Sequence, residues 1–236
     1  MVDVKKKVEM LISEIEKGNI DPKEAWNKIK ELKEDYVRQY SEQSWHKYVG
    51  DKFQDIIYSI LKGYISSLKK RDKSFRNLEV FSQSEVASND VIARKLAVKY
   101  GEYFLLPDID MAIVNYVFEE PWKSEVLAII SCKTSLRERI AQACYWKLKL
   151  LSSNVTKGVR VFLATADHDE NFFVKEGKER YDGMHRNRVI AEYELDGIYI
   201  LREDFPKEWE SDKVKRYERI FDDLIEIFKN ARKNCL

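Results

Sequence analysis

The sequence predicts an α/β fold in which a central mixed β-sheet is flanked by helices and preceded by a helical N-terminal region. Residues 1–75 carry apolar side chains at helical spacing, whereas strand-like apolar runs dominate from Leu105 onward. Gly (8) and Pro (4) are scarce among the 236 residues, which excludes a loop-rich all-β fold. Helices first, then two strands, a helix, further strands and a final helix indicate a sheet covered by helices.

The helical region, residues 1–75, is predicted as a unit suited to dimerisation or to clamping DNA. Apolar residues repeat from Val4 to Ile15, and Gly18 then stops the helix. Asp21 followed by Pro22 is typical of a helix start. The predicted helices of the N-terminal half cover residues 4–17, 22–40, 44–68 and 89–100, with a short strand over 77–83.

The second unit, residues 76–236, is predicted to contain the sheet. Residues 110–117 and 125–133 are two strand-like runs around a polar turn with Pro121, which favours an antiparallel hairpin. Ser135 and Glu138 have the spacing of a capping box and begin a helix over 135–150. The remaining prediction is a strand over 159–164, a loop over 167–187, one or two strands over 189–201 and a helix over 205–234.

Composition narrows the function classes. Lys+Arg (42) and Asp+Glu (41) give a net charge of +1, so the average charge does not indicate a nucleic-acid binder. No apolar run is long enough for a transmembrane span. Three cysteines without C-x-x-C spacing predict that the protein resides in a reducing cytoplasm. Because the chain has three histidines, a His-rich zinc site is not predicted.

Two carboxylates and a lysine are predicted to meet at one end of the hairpin. Asp108 and Asp110 stand where the first strand begins, and Lys133 ends the second. Antiparallel pairing brings these positions together, and the period of two puts the two acids on one face. Carboxylates can hold Mg²⁺, while a lysine can lower the pKa of an attacking water or stabilise a phosphate. The pattern therefore predicts metal-assisted phosphodiester hydrolysis.

Pro107-Asp108 with Lys133 downstream, together with residues 131–142, resembles the PD-(D/E)xK nucleases. Within them it resembles the CCGG-type restriction endonucleases, a group that includes PspGI, EcoRII and BsaWI. The resemblance implies a restriction-endonuclease-like core over 76–236 and a type II restriction endonuclease that needs Mg²⁺ and no organic cofactor. It further implies a homodimer that cuts double-stranded DNA at a short palindrome containing C·G pairs, CC…GG-like.

The same resemblance makes Arg137, Glu138 and Arg139 the residues that read bases. Arginine can donate to guanine O6 and N7, and glutamate can accept from cytosine N4. Residues 133–149 have a net charge of +4, so basic character is concentrated there. Arg186 and Arg188 end a basic segment, residues 175–188, that is a second candidate for DNA contact; a solvated surface loop is the alternative.

The chain departs from the group's pattern at the second acid. Ser131 occupies the (D/E) position, and Trp146 and Lys147 stand where the group has a glutamate. The metal ligands predicted here are Asp110 first and Asp108 second. The acid that completes the metal site is one of Glu138, Asp51, Asp55 and Glu85. The alternative is that Asp108 and Asp110 suffice together. A structure-specific or repair nuclease, a catalytically inactive DNA-binding module and a non-nuclease α/β protein remain alternatives.

Overall fold

A computed structural model of the chain describes residues 3–136, 139–172 and 185–233. In these ranges the helices of the N-terminal half are α1 (Val4–Glu16), α2 (Pro22–Glu31), α3 (Lys33–Gln39), α4 (Glu42–Arg71), α5 (Gln83–Ser88) and α6 (Asp90–Leu96). The later helices are α7 (Arg139–Leu151), α8 (Arg186–Glu194) and α9 (Ile220–Lys233). Among the described residues, no helix is both long and apolar enough to cross a membrane.

The strands are β1 (Leu78–Ser82), β2 (Val98–Tyr100), β3 (Tyr103–Leu105), β4 (Met111–Asn115), β5 (Glu125–Lys133), β6 (Arg160–Thr165), β7 (Gly197–Ile200) and β8 (Val214–Arg216). Six of them form one sheet in the order β1-β4-β5-β6-β7-β8. β4 is antiparallel to β1 and β5, whereas β5 to β8 run parallel. The predicted mixed sheet is therefore confirmed, and so is the antiparallel hairpin, with Met111 opposite Ile130.

Helices cover both faces of this sheet. On one face α4 and α9 contact the sheet and α1 and α2 pack on α4, and together they enclose a core that includes Met111, Ile113 and Ile130. On the other face α6 contacts β5, α7 contacts β6 and α8 contacts β7, around a core that includes Ala112 and Ile129. Because alternate residues of β4 and β5 enter opposite cores, both strands are apolar in their central stretches, residues 111–114 and 126–130, as expected of buried central strands. Helix α4, 30 residues long, thus lies directly on the strands that carry the predicted site.

Local signals fixed the helix starts that the sequence predicted. Asp21 accepts hydrogen bonds from the backbone of Lys23 and Glu24 and is followed by Pro22 at the first position of α2. Ser41 and Ser44 form a reciprocal cap at the start of α4. These bonds satisfy amide groups that have no partner inside a helix, so each cap sets where its helix begins.

Four predicted elements are wrong. The helix over 22–40 is interrupted at Leu32, and residues 98–100, predicted as the end of a helix, form β2. Residues 189–194, predicted as strand, belong to α8, because His185 caps its start and Ala191 is buried against the sheet. Residues 205–234 are divided into β8 and α9, because Val214 pairs with Ile198 at the edge of the sheet.

Candidate active site

Asp110 lies at the entrance of β4, where the hairpin holds it against the end of β5. Its backbone N–H donates to Ile130 O at 3.1 Å, which continues the ladder beyond Met111. Its Oδ2 accepts from the backbone N–H of Cys132 at 2.5 Å and from Lys133 Nζ at 3.1 Å. The Asp110 and Lys133 side chains are only 6% and 12% exposed. The structure thus brings together two of the three residues predicted as catalytic.

Gln54, on α4, is the third side chain at this carboxylate. Its Nε2 donates to Asp110 Oδ1 at 2.7 Å. The sequence offers the neighbouring acids Asp51 and Asp55 as candidates and does not predict a role for this amide. The available signal was its position on α4 beside the buried residues Phe53 and Ile57, at the border of the apolar stripe.

Asp108 has a different set of neighbours. The side chain is exposed and accepts a hydrogen bond from Nε2 of Gln142 on α7, while Ile109 between the two aspartates is buried. Asp108 is therefore attached to the helix expected to read DNA, and Asp110 to the lysine. Gln142, like Gln54, is a polar residue at the site that the sequence patterns do not predict.

Among the described residues, no hydrogen bond or ion pair joins Asp110 to another of the acids that the sequence offers as metal ligands. Glu85 accepts from Tyr58, and from the backbone and hydroxyl of Ser82, in the cap of α5. Asp55 pairs with Lys52 at 2.7 Å. Among the described residues no group of three or more His, Cys, Asp or Glu side chains is arranged to hold a metal ion. Glu138 lies outside the described residues.

The donor set around Asp110 nevertheless fits a magnesium ion bound partly by substrate. Mg²⁺ is commonly held by one or two carboxylates, several waters and a substrate phosphate rather than by a full protein cage. A carboxylate offers about four lone pairs. The three hydrogen bonds to Gln54, Cys132 and Lys133 leave acceptor capacity on Oδ1. Ser131, one step beyond the Met111–Ile130 pair and so opposite Asp110, is almost fully buried.

Cys132 contributes its backbone but not its thiol. Burial raises the pKa of this thiol well above its usual range, and the charge of Asp110 raises that pKa further. Because reactivity and metal binding require the thiolate, the side chain is an apolar core group at neutral pH.

The segment between β5 and α7 is held by the loop that follows β6. One oxygen of Asp169, Oδ2, accepts from Ser135 Oγ at 2.7 Å and from the backbone N–H of Leu136 at 2.9 Å. The backbone N–H of His168 donates to Thr134 O at 3.1 Å. Arg139 follows as the exposed first residue of α7, while Arg137 lies outside the described residues.

Arg188 is buried, so its predicted contact with DNA is wrong. It is 2% exposed, and its guanidinium donates to Phe172 O and Trp209 O, both at 2.7 Å, and pairs with Glu192. The predicted DNA contact is replaced by a structural role, because the donors are used inside the protein. Arg186, at the start of α8, is exposed.

Lys147 is also not part of the predicted basic surface. It is 8% exposed and pairs with Asp196, Nζ to Oδ2, at 2.5 Å. The net positive charge counted over residues 133–149 is therefore partly neutralised within the fold. Lys149 is half-buried over the rings of Tyr100 and Tyr145.

Comparison with known proteins identifies the family. Residues 86–223 match the family described as BsaWI restriction endonuclease type 2. "Putative type II restriction enzyme MjaVIP" of Methanocaldococcus jannaschii is 40% identical over 214 residues, which cover 86% of this chain and 87% of the relative. "Probable type II restriction enzyme HpyAORF263P" of Helicobacter pylori is 32% identical over 152 residues, 60% of this chain and 75% of the relative.

Two solved structures are similar at lower identity. A complex of restriction endonuclease PspGI with substrate DNA has a TM-score of 0.48 at 12% identity, over 98% of this chain and 94% of that chain. The type IIP restriction endonuclease Kpn2I has a TM-score of 0.42 at 17% identity, over 79% and 56%. By the family match and the first of the two relatives, this chain belongs to the BsaWI family of type II restriction endonucleases.

Proposed function

We propose that this restriction endonuclease cleaves double-stranded DNA at a short palindrome containing C·G pairs, of the CC…GG type. The proposed reaction depends on Mg²⁺ and is carried out by a homodimer. The observation that carries the proposal is the contact of Lys133 Nζ with Asp110 Oδ2, 3.1 Å long and almost shielded from solvent. At one end of a hairpin, an acid can hold the metal of metal-assisted phosphodiester hydrolysis, and a lysine beside it can stabilise the developing negative charge.

The chain's own residues prepare this site before DNA arrives. Gln54 and the Cys132 backbone fix both oxygens of Asp110, so the carboxylate is oriented without waiting for substrate. Asp110 would hold the metal, with Asp108 as the second candidate ligand. Bound Mg²⁺ supplies a water of lowered pKa and neutralises phosphate charge. Lys133 positions the attacking water and stabilises negative charge that develops on the phosphate.

Base reading is assigned to residues 137–139, of which the structure describes Arg139. In the sequence these residues follow the segment held by Asp169, and Arg139 is exposed as the first residue of α7. A cation at a helix N-terminus opposes the helix dipole, and a polyanion removes that cost. Arginine forks to guanine and a glutamate acceptor for cytosine N4 account for the C·G preference. Arg186 is a further DNA contact in this proposal.

Plasmid digestion with purified protein tests the proposal. With Mg²⁺ we expect discrete fragments whose ends map to one palindromic sequence, and no cleavage in EDTA. Lys133→Ala and Asp110→Asn should each lower the cleavage rate by about 10²–10⁴-fold while sequence-specific binding persists. Lys123→Ala is the matched control, because Lys123 is exposed and pairs only locally with Glu120.

Other outcomes overturn the proposal in separate ways. A smear of fragments, or cleavage confined to branched or damaged DNA, would identify a structure-specific nuclease of the same fold. Specific binding without cleavage at any divalent metal would identify an inactive DNA-binding module. Cleavage by Lys133→Ala at the wild-type rate would remove the lysine from the mechanism.

A further inference from the structure

The hairpin β2–β3 exposes an unusual run of apolar side chains. Tyr103, Phe104 and Leu105 are 74%, 66% and 49% exposed. Within the described part of the chain, these strands pair with each other and lie outside the six-stranded sheet. A solvent-exposed hairpin turn normally consists of polar residues. Consecutive large apolar side chains at this position therefore indicate a surface that binds a partner in the functional protein.

Helix α7 presents a second apolar surface. Tyr145, Leu148 and Leu151 recur at three-residue spacing and are each about half exposed, while the opposite side of the helix is buried. These three side chains do not belong to the hydrophobic core, to which α7 contributes residues such as Ile140 and Leu150.

The two surfaces are continuous. The hydroxyl groups of Tyr100 and Tyr145 are 2.8 Å apart, and Tyr100 is the register partner of Tyr103. Lys149 Nζ lies over both the Tyr100 and Tyr145 rings, at 5.0 and 5.5 Å, so its charge is held within the junction. We call the combined surface, formed by Tyr103, Phe104 and Leu105 with Tyr145, Leu148 and Leu151, the hairpin–helix patch.

The chemistry of the patch suits a second copy of the chain better than DNA. Surfaces that bind DNA are polar and strongly positive. The patch is apolar, and the exposed charges of the hairpin, Lys99 and Glu102, are of opposite sign. In a two-fold contact each copy presents the same surface, so an apolar patch is self-complementary. Lys99 of one copy can then pair with Glu102 of the second copy.

The size of the patch is adequate for a dimer. A buried aromatic side chain removes about 150–250 Å² from water, so three partly exposed rings and three leucines present several hundred Å² of apolar surface. A stable interface buries about 800 Å² on each partner. The six exposed side chains therefore supply a substantial part of the area that such an interface needs.

The patch also lies beside the catalytic residues. β3 ends at Leu105, and Asp108 follows two residues after Leu106; α7 carries Gln142, which contacts Asp108. A two-fold axis through the patch would therefore place two active sites near each other. A short palindrome needs this, because its two scissile bonds are separated by only a few base pairs of about 3.4 Å rise.

We infer that the hairpin–helix patch is the surface through which two copies of this chain form the dimer. The inference rests on the proposed function, which requires two active sites for one palindrome. It locates the contact within residues 76–236 and not in the N-terminal helical region.

Sedimentation without DNA or Mg²⁺ tests the surface independently of catalysis. We expect the wild type to be dimeric at micromolar concentration. Phe104→Glu and Leu148→Lys should each yield a folded monomer, with double-strand cleavage at least tenfold slower. Trp122→Glu is the matched control: Trp122 is 64% exposed on the turn before β5, outside the patch, and the variant should remain dimeric and active. Circular dichroism and a thermal melt establish that each variant is folded.

The outcomes separate the two proposals. A dimeric double variant Phe104→Glu/Leu148→Lys, or a monomeric wild type, overturns the assignment of the surface. If the wild type is monomeric and the variants instead lose affinity for DNA in a gel-shift assay, the patch contacts DNA. A dimer that dissociates on substitution but cuts no DNA supports the surface and contradicts only the proposed function.

Discussion

The side-chain amide of Gln54 donates a 2.7 Å hydrogen bond to Oδ1 of Asp110, which lies 56 residues further along the chain. The contact joins the long helix α4 to the first strand of the catalytic hairpin. Since Oδ2 is already bound by the Cys132 backbone and by Lys133, Gln54 removes the remaining rotational freedom of the carboxylate. The N-terminal helical region is therefore part of the active-site support.

Replacing Gln54 by methionine should slow cleavage about tenfold. Methionine keeps the length of the side chain but removes the donor, and one hydrogen bond to a carboxylate contributes about 1.5 kcal/mol. Single-turnover cleavage should fall while DNA affinity measured in EDTA is unchanged. Gln43→Met, at an exposed position of the same helix, should cleave like the wild type. An unchanged rate in Gln54→Met would contradict the positioning role.

The pairing of Asp110 with Lys133 was predictable because it follows from local rules. An antiparallel hairpin and a side-chain period of two are enough to bring the start of β4 to the end of β5. Gln54 was not predictable in this way, since its contact depends on how α4 packs across the sheet. Periodicity places Gln54 at the border of the buried face, but it does not say which strand residue lies opposite.

The errors have physical causes of the same kind. Val189 and Ile190 form a short apolar run, which is compatible with either a strand or a helix, and tertiary packing of Ala191 selected the helix α8. Arg188 and Lys147 were interpreted as surface cations because charged residues are seldom buried. Each is buried against partly buried partners that distant segments supply, namely Trp209 O and Asp196.

Asp169 should control sequence discrimination if residues 137–139 read bases as proposed. Asp169→Ala removes both bonds that hold Ser135 and Leu136, so the start of α7 loses its fixed position. We expect the ratio of cleavage at the cognate site to cleavage at sites with one altered base pair to fall about tenfold, as for a lost contribution of about 1.4 kcal/mol.

The conservative variant separates this role from general destabilisation. Asp169→Asn keeps an acceptor oxygen for both donors and should retain most of the discrimination. Asp212→Ala, at an exposed position, is the surface control. Equal discrimination in Asp169→Ala and the wild type would show that the segment before α7 is held by other contacts.

Arg188 should be important for stability. Arg188→Met leaves two carbonyl groups, of Phe172 and Trp209, and the carboxylate of Glu192 without their donor. Loss of one partner from a buried charged network costs about 3–5 kcal/mol. Chemical denaturation should therefore show a large fall in the free energy of unfolding. In Arg186→Met, an exposed position two residues earlier, the change should stay within about 0.5 kcal/mol.

The two described thiols should be unreactive in the folded enzyme. Burial raises the pKa of Cys144 to about 11 and that of Cys132 well above its usual range. At pH 8 a thiol with a pKa of 11 is about 0.1% thiolate, and both side chains are also shielded from reagent. In a Cys235→Ser variant, native labelling with a disulfide reagent should be slow, and denaturant should expose two thiols. Adding Ser88→Cys, at an exposed position, provides a thiol that should label quickly. Rapid native labelling of Cys132, or loss of cleavage on alkylation of the folded Cys235→Ser protein, would contradict the assignment of Cys132 as an inert neighbour of Lys133.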